Sequence, residues 1–148
     1  RAWICCVLEF KNRQRVVMGP GYTELFFWDE ACALAAGHRP CFECRRADAL
    51  AFAFAWSGEA VRATAPQMDR DLAKARAEGP WICDAAPEGA MVALPEGPAL
   101  VAQGALHLWS PDGYGASQPL PRRLRVLTPR PICTVLARGY RPQMGLNA

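Results

Sequence analysis

The sequence predicts an α+β protein: an N-terminal β-hairpin and helices around a Cys-x-x-Cys turn, then a small antiparallel sheet with a C-terminal helix. Three observations predict it. Apolar, aromatic-rich runs open the chain, and capped segments of helical periodicity occupy 29–78. From residue 79 onward, Pro and Gly cut the sequence into short apolar runs at strand length.

Taken in order, residues 3–10 read as a strand, dense in β-branched, aromatic and Cys residues. The polar run 11–15 is a turn, and Val16, Val17 and Met18 return as the second arm of a hairpin. Residues 24–28 form a short apolar strand, after which Asp29 has the character of an N-cap and 30–36 that of a short Ala-rich helix. Gly37 suits the left-handed residue that ends it. Pro40 stiffens the approach to Cys41. From Phe42 to Trp56 the pattern is helical, with Ala47, Leu50 and Phe54 on one side. Residues 66–78 predict a further helix with a thin stripe of Met68, Leu72 and Ala75, stopped by Gly79 and Pro80. This helix is the best candidate for a mobile connector. Residues 91–94, 99–102 and 105–109 predict a meander, 110–115 a longer loop, and 124–127 another strand. Thr128 caps a last short helix through 137. His107 alternates away from Leu106 and Leu108, toward solvent or a groove.

These elements suggest a lobe at 1–60, a helical connector at 61–80 and a β-rich lobe with its closing helix at 81–148, or one compact domain overall. A chain of 148 residues accommodates either. Hydrophobic residues at 51% suffice for a core, and a net charge of +3 is too small to argue for nucleic acid by itself. Seven cysteines are many for this length. No signal peptide or membrane-length apolar run is visible, so reduced thiols and a cytoplasmic location are expected, with no membrane partner. The chain opens at Arg1 directly in a strand pattern, so a natural start upstream is expected.

The chemistry centres on residues 37–46, where Gly37, His38, Arg39 and Pro40 lead into Cys41, Phe42, Glu43, Cys44, Arg45 and Arg46. Two cysteines spaced this way aim both sulfurs at one small ion. They supply half of a tetrahedral zinc set, so other ligands must come from elsewhere. Cys5 and Cys6 are candidates, although adjacent residues on a strand face opposite ways. The rival chemistry is a redox or nucleophilic Cys41, its thiolate favoured by a helix start and by Arg39, Arg45 and Arg46, with His38 as the available base. Two buried structural cysteines are the third possibility. The pattern Leu-Ala-x-Gly-x-Arg-Pro of 34–40 recurs at 136–142 without the cysteines. It is therefore at least partly an architectural helix stop.

Residues 26–45 resemble the N-terminal metal-binding domain of Ada-type DNA methyl-phosphotriester repair proteins, through the block from Leu34 to Arg45. The chain also resembles uncharacterised bacterial proteins carrying the same block. In the Ada-type family four cysteines hold zinc, and Cys41 and Cys44 match its downstream pair. Its upstream pair, which includes the methyl-accepting thiol, has no match, so methyl transfer is not carried over. The resemblance implies zinc held by Cys41 and Cys44 and completed by Cys5 or Cys6, with His38 or Cys32 as accessory. Together with Arg39, Arg45 and Arg46 beside the turn and the arginine cluster Arg122, Arg123 and Arg125, the resemblance suggests nucleic acid as a partner, contacted through its phosphates. The other readings are a thiol-dependent enzyme or redox protein using Cys41, and a structural or interaction module, for which the β-rich half would form a homo-oligomer interface.

Overall fold

Alternation of apolar residues along short strands builds a six-stranded antiparallel sheet, seen in a computed structural model that describes residues 1–13, 17–19, 21, 23–58 and 61–146. The elements in chain order are β1 (Ile4–Cys5), α1 (Glu30–Ala35), β2 (Arg39–Pro40), α2 (Arg46–Ser57), α3 (Ala65–Glu78), β3 (Trp81–Cys83), β4 (Met91–Leu94), β5 (Gly97–Ala102), β6 (Ala105–Ser110), β7 (Gly113–Gln118), β8 (Leu124–Val126) and α4 (Arg130–Ala137). The large sheet runs β3-β8-β4-β5-β6-β7, and β1 and β2 form a separate parallel pair. The class is α+β with a closing helix, as the sequence predicts.

Period-2 alternation gives the sheet two apolar faces. Val92, Ala99, Val101, Leu106, Leu124 and Val126 lie in one cluster with Phe52 of α2, Met68 and Leu72 of α3, and Ile132, Val135 and Leu136 of α4. Met91, Leu100 and Ala102 pack on the other face with Ala31 of α1, and Met144 and Leu146 lie against that cluster. The stripe expected on α3 is therefore seated in the principal core. Thr64 caps that helix, its hydroxyl accepting from the Gln67 amide at 3.4 Å.

Both copies of the Leu-Ala-x-Gly motif end a helix the same way. The Gly37 and His38 amides donate to the Leu34 and Ala33 carbonyls, and those of Gly139 and Tyr140 to Leu136 and Val135. Both glycines have positive φ, +80° and +100°. This paired 5→2 and 6→1 closure is a Schellman stop.

Several elements differ from the sequence reading. The first strand is only β1, and its partner is β2 in parallel, Ile4 opposite Arg39 and Cys5 opposite Pro40. Of the expected return arm, Val16 lies outside the described residues, while Val17 and Met18 are exposed. Residues 24–28 form no strand among the described residues. Helix α2 begins at Arg46, which leaves 42–45 as a turn and rotates the buried stripe to Ala49, Phe52 and Ala53, so that Phe54 is 45% exposed. The loop expected at 110–115 is a tight turn into β7, with Gly113 at φ +117°. The Thr128 hydroxyl accepts from the Met91 amide at 2.8 Å rather than capping α4. His107 is buried on the sheet face shared with Leu100, its Nδ1 3.4 Å from the Gly115 carbonyl, because α1 and the C-terminal segment lie over part of that face.

Candidate metal centre

The parallel β1–β2 pair assembles the site. The Arg39 amide donates to the Trp3 carbonyl at 3.1 Å, and the Cys41 amide to the Cys5 carbonyl at 3.1 Å. The chain leaving β1 therefore runs beside the chain leaving β2, and Cys6 comes next to Cys41. The turn after Cys41 then reverses, its Arg45 amide donating to the Cys41 carbonyl at 3.0 Å. That reversal returns Cys44 to the same point, so that the sulfurs of Cys6, Cys41 and Cys44 all lie within 4.8 Å of one another. Cys41 is buried, and Cys6 and Cys44 are partly exposed.

The electrostatics favour a thiolate at Cys41. Burial pushes this thiol up, but the backbone amides of Cys44 and Glu43 and the thiols of Cys44 and Cys6 outweigh it, leaving the group below its ordinary value. The Glu43 amide sits 3.4 Å from the Cys41 sulfur. Burial, with Cys41 and Cys44 adding to it, pushes Cys6 up to about 12. Three thiols crowded this closely cannot all ionise without a cation among them. An ion bonded to sulfur at about 2.3 Å in a tetrahedron needs sulfurs about 3.8 Å apart. The three sulfurs lie within 4.8 Å of one another, and an all-sulfur donor set suits a thiophilic ion.

The remaining candidates fall elsewhere. Cys5 faces away from the cluster toward Arg45, whose Nη1 donates to its sulfur at 3.5 Å. Burial raises the Cys5 thiol and Arg45 partly opposes it. Cys32 lies 3.6 Å from the Tyr114 hydroxyl. His38 is buried between Trp3 and Phe27, with ring centroids 5.2 and 4.8 Å away, and is outside the three-sulfur group. Burial lowers its pKa, and Arg76 adds to this against an opposing Ala33 carbonyl.

The arginines around the turn divide. Arg39 grips Asp69 of α3 with two bonds, Nε to Oδ1 at 2.7 Å and Nη2 to Oδ2 at 2.9 Å. Arg45 is also buried and bonds Glu30 Oε2 and Asp48 Oδ2, each at 2.8 Å. Arg46 is exposed. Glu30 is the organising residue that sequence reasoning missed. Its carboxylate also accepts from the Tyr140 hydroxyl at 2.6 Å and the Gln143 amide at 2.9 Å. As a lone acid in a helical first turn it looks like a solvated dipole partner, and no local signal marks it as buried. A second link missed at sequence level is Arg13 to Glu43 at 2.7 Å, which ties the 10–13 turn to the cysteine turn.

No helix among the described residues is long and apolar enough to cross a membrane. Comparison of the chain with protein-family models, with curated proteins and with solved structures finds no match in any of the three.

Proposed function

We propose that the chain is a zinc-thiolate protein in which Cys6, Cys41 and Cys44 hold one ion. The observation that carries this reading is the convergence of three sulfurs from two segments of the chain far apart in sequence. Cys41 supplies the readiest thiolate, Cys44 returns on the turn, and Cys6 closes a long loop. β1 is only two residues long and its neighbours make two backbone bonds to the β2 segment, from the Arg39 and Cys41 amides, so an ion there further fastens the N-terminal segment. Zinc suits the role because it favours thiolate donors and has no redox chemistry of its own. The bound ion would supply charge neutralisation for the three sulfurs.

The test is metal analysis of the purified protein together with cobalt substitution, whose sulfur-to-metal absorption reports thiolate ligands. One equivalent of zinc is expected. Cys6→Ser, Cys41→Ser and Cys44→Ser should each weaken binding sharply, while Cys5→Ser retains it. A preparation that takes up no stoichiometric metal, or a Cys5 variant as defective as the Cys6 variant, rejects the assignment. The same samples address the thiol-enzyme alternative. Chelator-released alkylation of Cys41 supports the metal, whereas rapid alkylation of Cys41 in metal-loaded protein supports a nucleophile.

The likeness to Ada-type domains would add DNA as a partner. Because Arg39 and Arg45 bond carboxylates, Arg46 is the exposed arginine of those three. Absence of salt-dependent binding to duplex or single-stranded DNA at micromolar protein would remove that partner.

A further inference from the structure

The second face of the large sheet is covered by α1 and the C-terminal segment over its central strands, and among the described residues this cover does not extend to the β3–β8 end. There Ile82, Arg125 and Ala93 stand in one row across three strands, since Ile82 pairs with Arg125 and Arg125 with Ala93. Ile82 is 50% exposed although it sits in a strand. The row floors an open groove of about 580 Å³, with Leu94 beside it, Pro95 and Pro121 lining it, and Arg123 joining Arg125. That volume is the size of a small-molecule site rather than a polymer track. The two exposed guanidinium groups meet little opposing charge: Arg123 reaches Asp84 only at 4.0 Å with both side chains largely in water, and no ion pair of Arg125 is found among the described residues.

We propose that this groove binds a small organic anion with an apolar body, of the aliphatic carboxylate class. The apolar part lies along Ile82 and Ala93 between Pro95 and Pro121, and the carboxylate is gripped by Arg123 and Arg125. Guanidinium matches carboxylate geometry with paired bonds, which a hydroxyl or an ammonium head cannot exploit. A small, fully hydrated anion gains nothing from the apolar floor, because it leaves Ile82 as exposed as before. Neither arginine belongs to the three-sulfur centre, so this site stands apart from the proposed zinc function.

The experiment is calorimetric titration of the full chain with decanoate, decanol and decyltrimethylammonium below their aggregation limits. Decanoate should saturate at one equivalent. Decanol should bind about tenfold or more weaker, given what a charge-assisted pair contributes, and the cation should not bind. Arg125→Gln and Arg123→Gln should each weaken decanoate by about tenfold. Ile82→Asp should abolish binding while leaving the circular dichroism unchanged. Equal binding of decanoate and decanol, uptake without saturation, or an Arg123→Gln/Arg125→Gln protein that still binds decanoate normally would overturn the proposal. So would a single-stranded oligonucleotide whose binding depends on these two arginines while decanoate gives no heat.

Discussion

Replacing Glu30 with Ala is the most severe single test of the buried polar core. The Glu30 side chain is 2% exposed, and its two oxygens take the Arg45 guanidinium, the Tyr140 hydroxyl and the Gln143 amide. Burial opposes the Arg45 charge, and the Glu30 and Asp48 carboxylates more than offset it, so its pKa is raised. Truncating Glu30 leaves the guanidinium with Asp48, whose side chain is 44% exposed, and strands two donors. Breaking a buried pair from one side costs about 3–5 kcal/mol, and the surviving Asp48 contact places this case near the lower end. At about 2–4 °C per kcal/mol for a chain of this size, the melting temperature should fall by about 10 °C. Arg45→Met should cost less, because Glu30 keeps two donors. The double variant Glu30→Ala/Arg45→Met should cost less than the sum of the two singles. Because Arg45 follows Cys44 directly, the Glu30 variant should also weaken metal binding about tenfold, as loss of supporting shells does. Thermal denaturation and metal competition read both effects. A Glu30→Ala protein destabilised by under about 1 kcal/mol, or strict additivity of the pair, would refute the reasoning.

Three further outcomes follow from the same structure. His38 has a folded pKa below its ordinary 6.5, so the folded state binds fewer protons than the unfolded chain. Its contribution is fully present above about pH 6.5 and is lost as pH falls through that value toward the lowered one, so urea midpoints should drop from pH 7.5 to 5.5, and His38→Gln should flatten that slope. Gly37→Ala should cost about 1–3 kcal/mol, measured by denaturant titration, because φ is +80° and the new Cβ would lie 2.8 Å from the Arg76 side chain that donates to the Gly37 carbonyl. Chelation of a metal-loaded protein should expose the 1–13 segment, read as faster tryptic cleavage after Lys11 and Arg13, with the α3 and α4 peptides unchanged.

Elements whose signals are local were legible before any coordinates. The cap at Asp29 and the stops at Gly37 and Gly79 lie close to where the sequence places them, and the β4–β6 meander follows its turns. At Gln103 and Gly104 both φ values are positive, as a two-residue hairpin of this kind requires. What local signals cannot specify is the partner of an isolated strand. Residues 3–10 have strand composition, yet that composition fits a hairpin or a parallel bridge equally well. Competition for Thr128 is similar: its hydroxyl is a good cap, and the Met91 amide arriving from another strand takes it.

The candidate site shows the same division at higher stakes. A Cys-x-x-Cys turn is visible as sequence because the placement of both of its sulfurs depends on one local reversal. The third sulfur of the cluster depends on parity, since Cys5 and Cys6 differ by half a strand period and face opposite sides. The bond from the Cys41 amide to the Cys5 carbonyl sets that parity, placing Cys6 with the sulfurs and Cys5 beside Arg45. A one-residue slip of β1 against β2 would exchange the two thiols. The arginines obey the same logic: charge at Arg39, Arg45 and Arg46 can be read from sequence, but whether a guanidinium meets solvent or a carboxylate depends on Asp69 and Glu30, which lie on other helices. Buried pairing also gives Arg39 and Arg45 a role that a surface reading assigns to a partner. They tie the cysteine turn to α1 and α3 through Glu30 and Asp69.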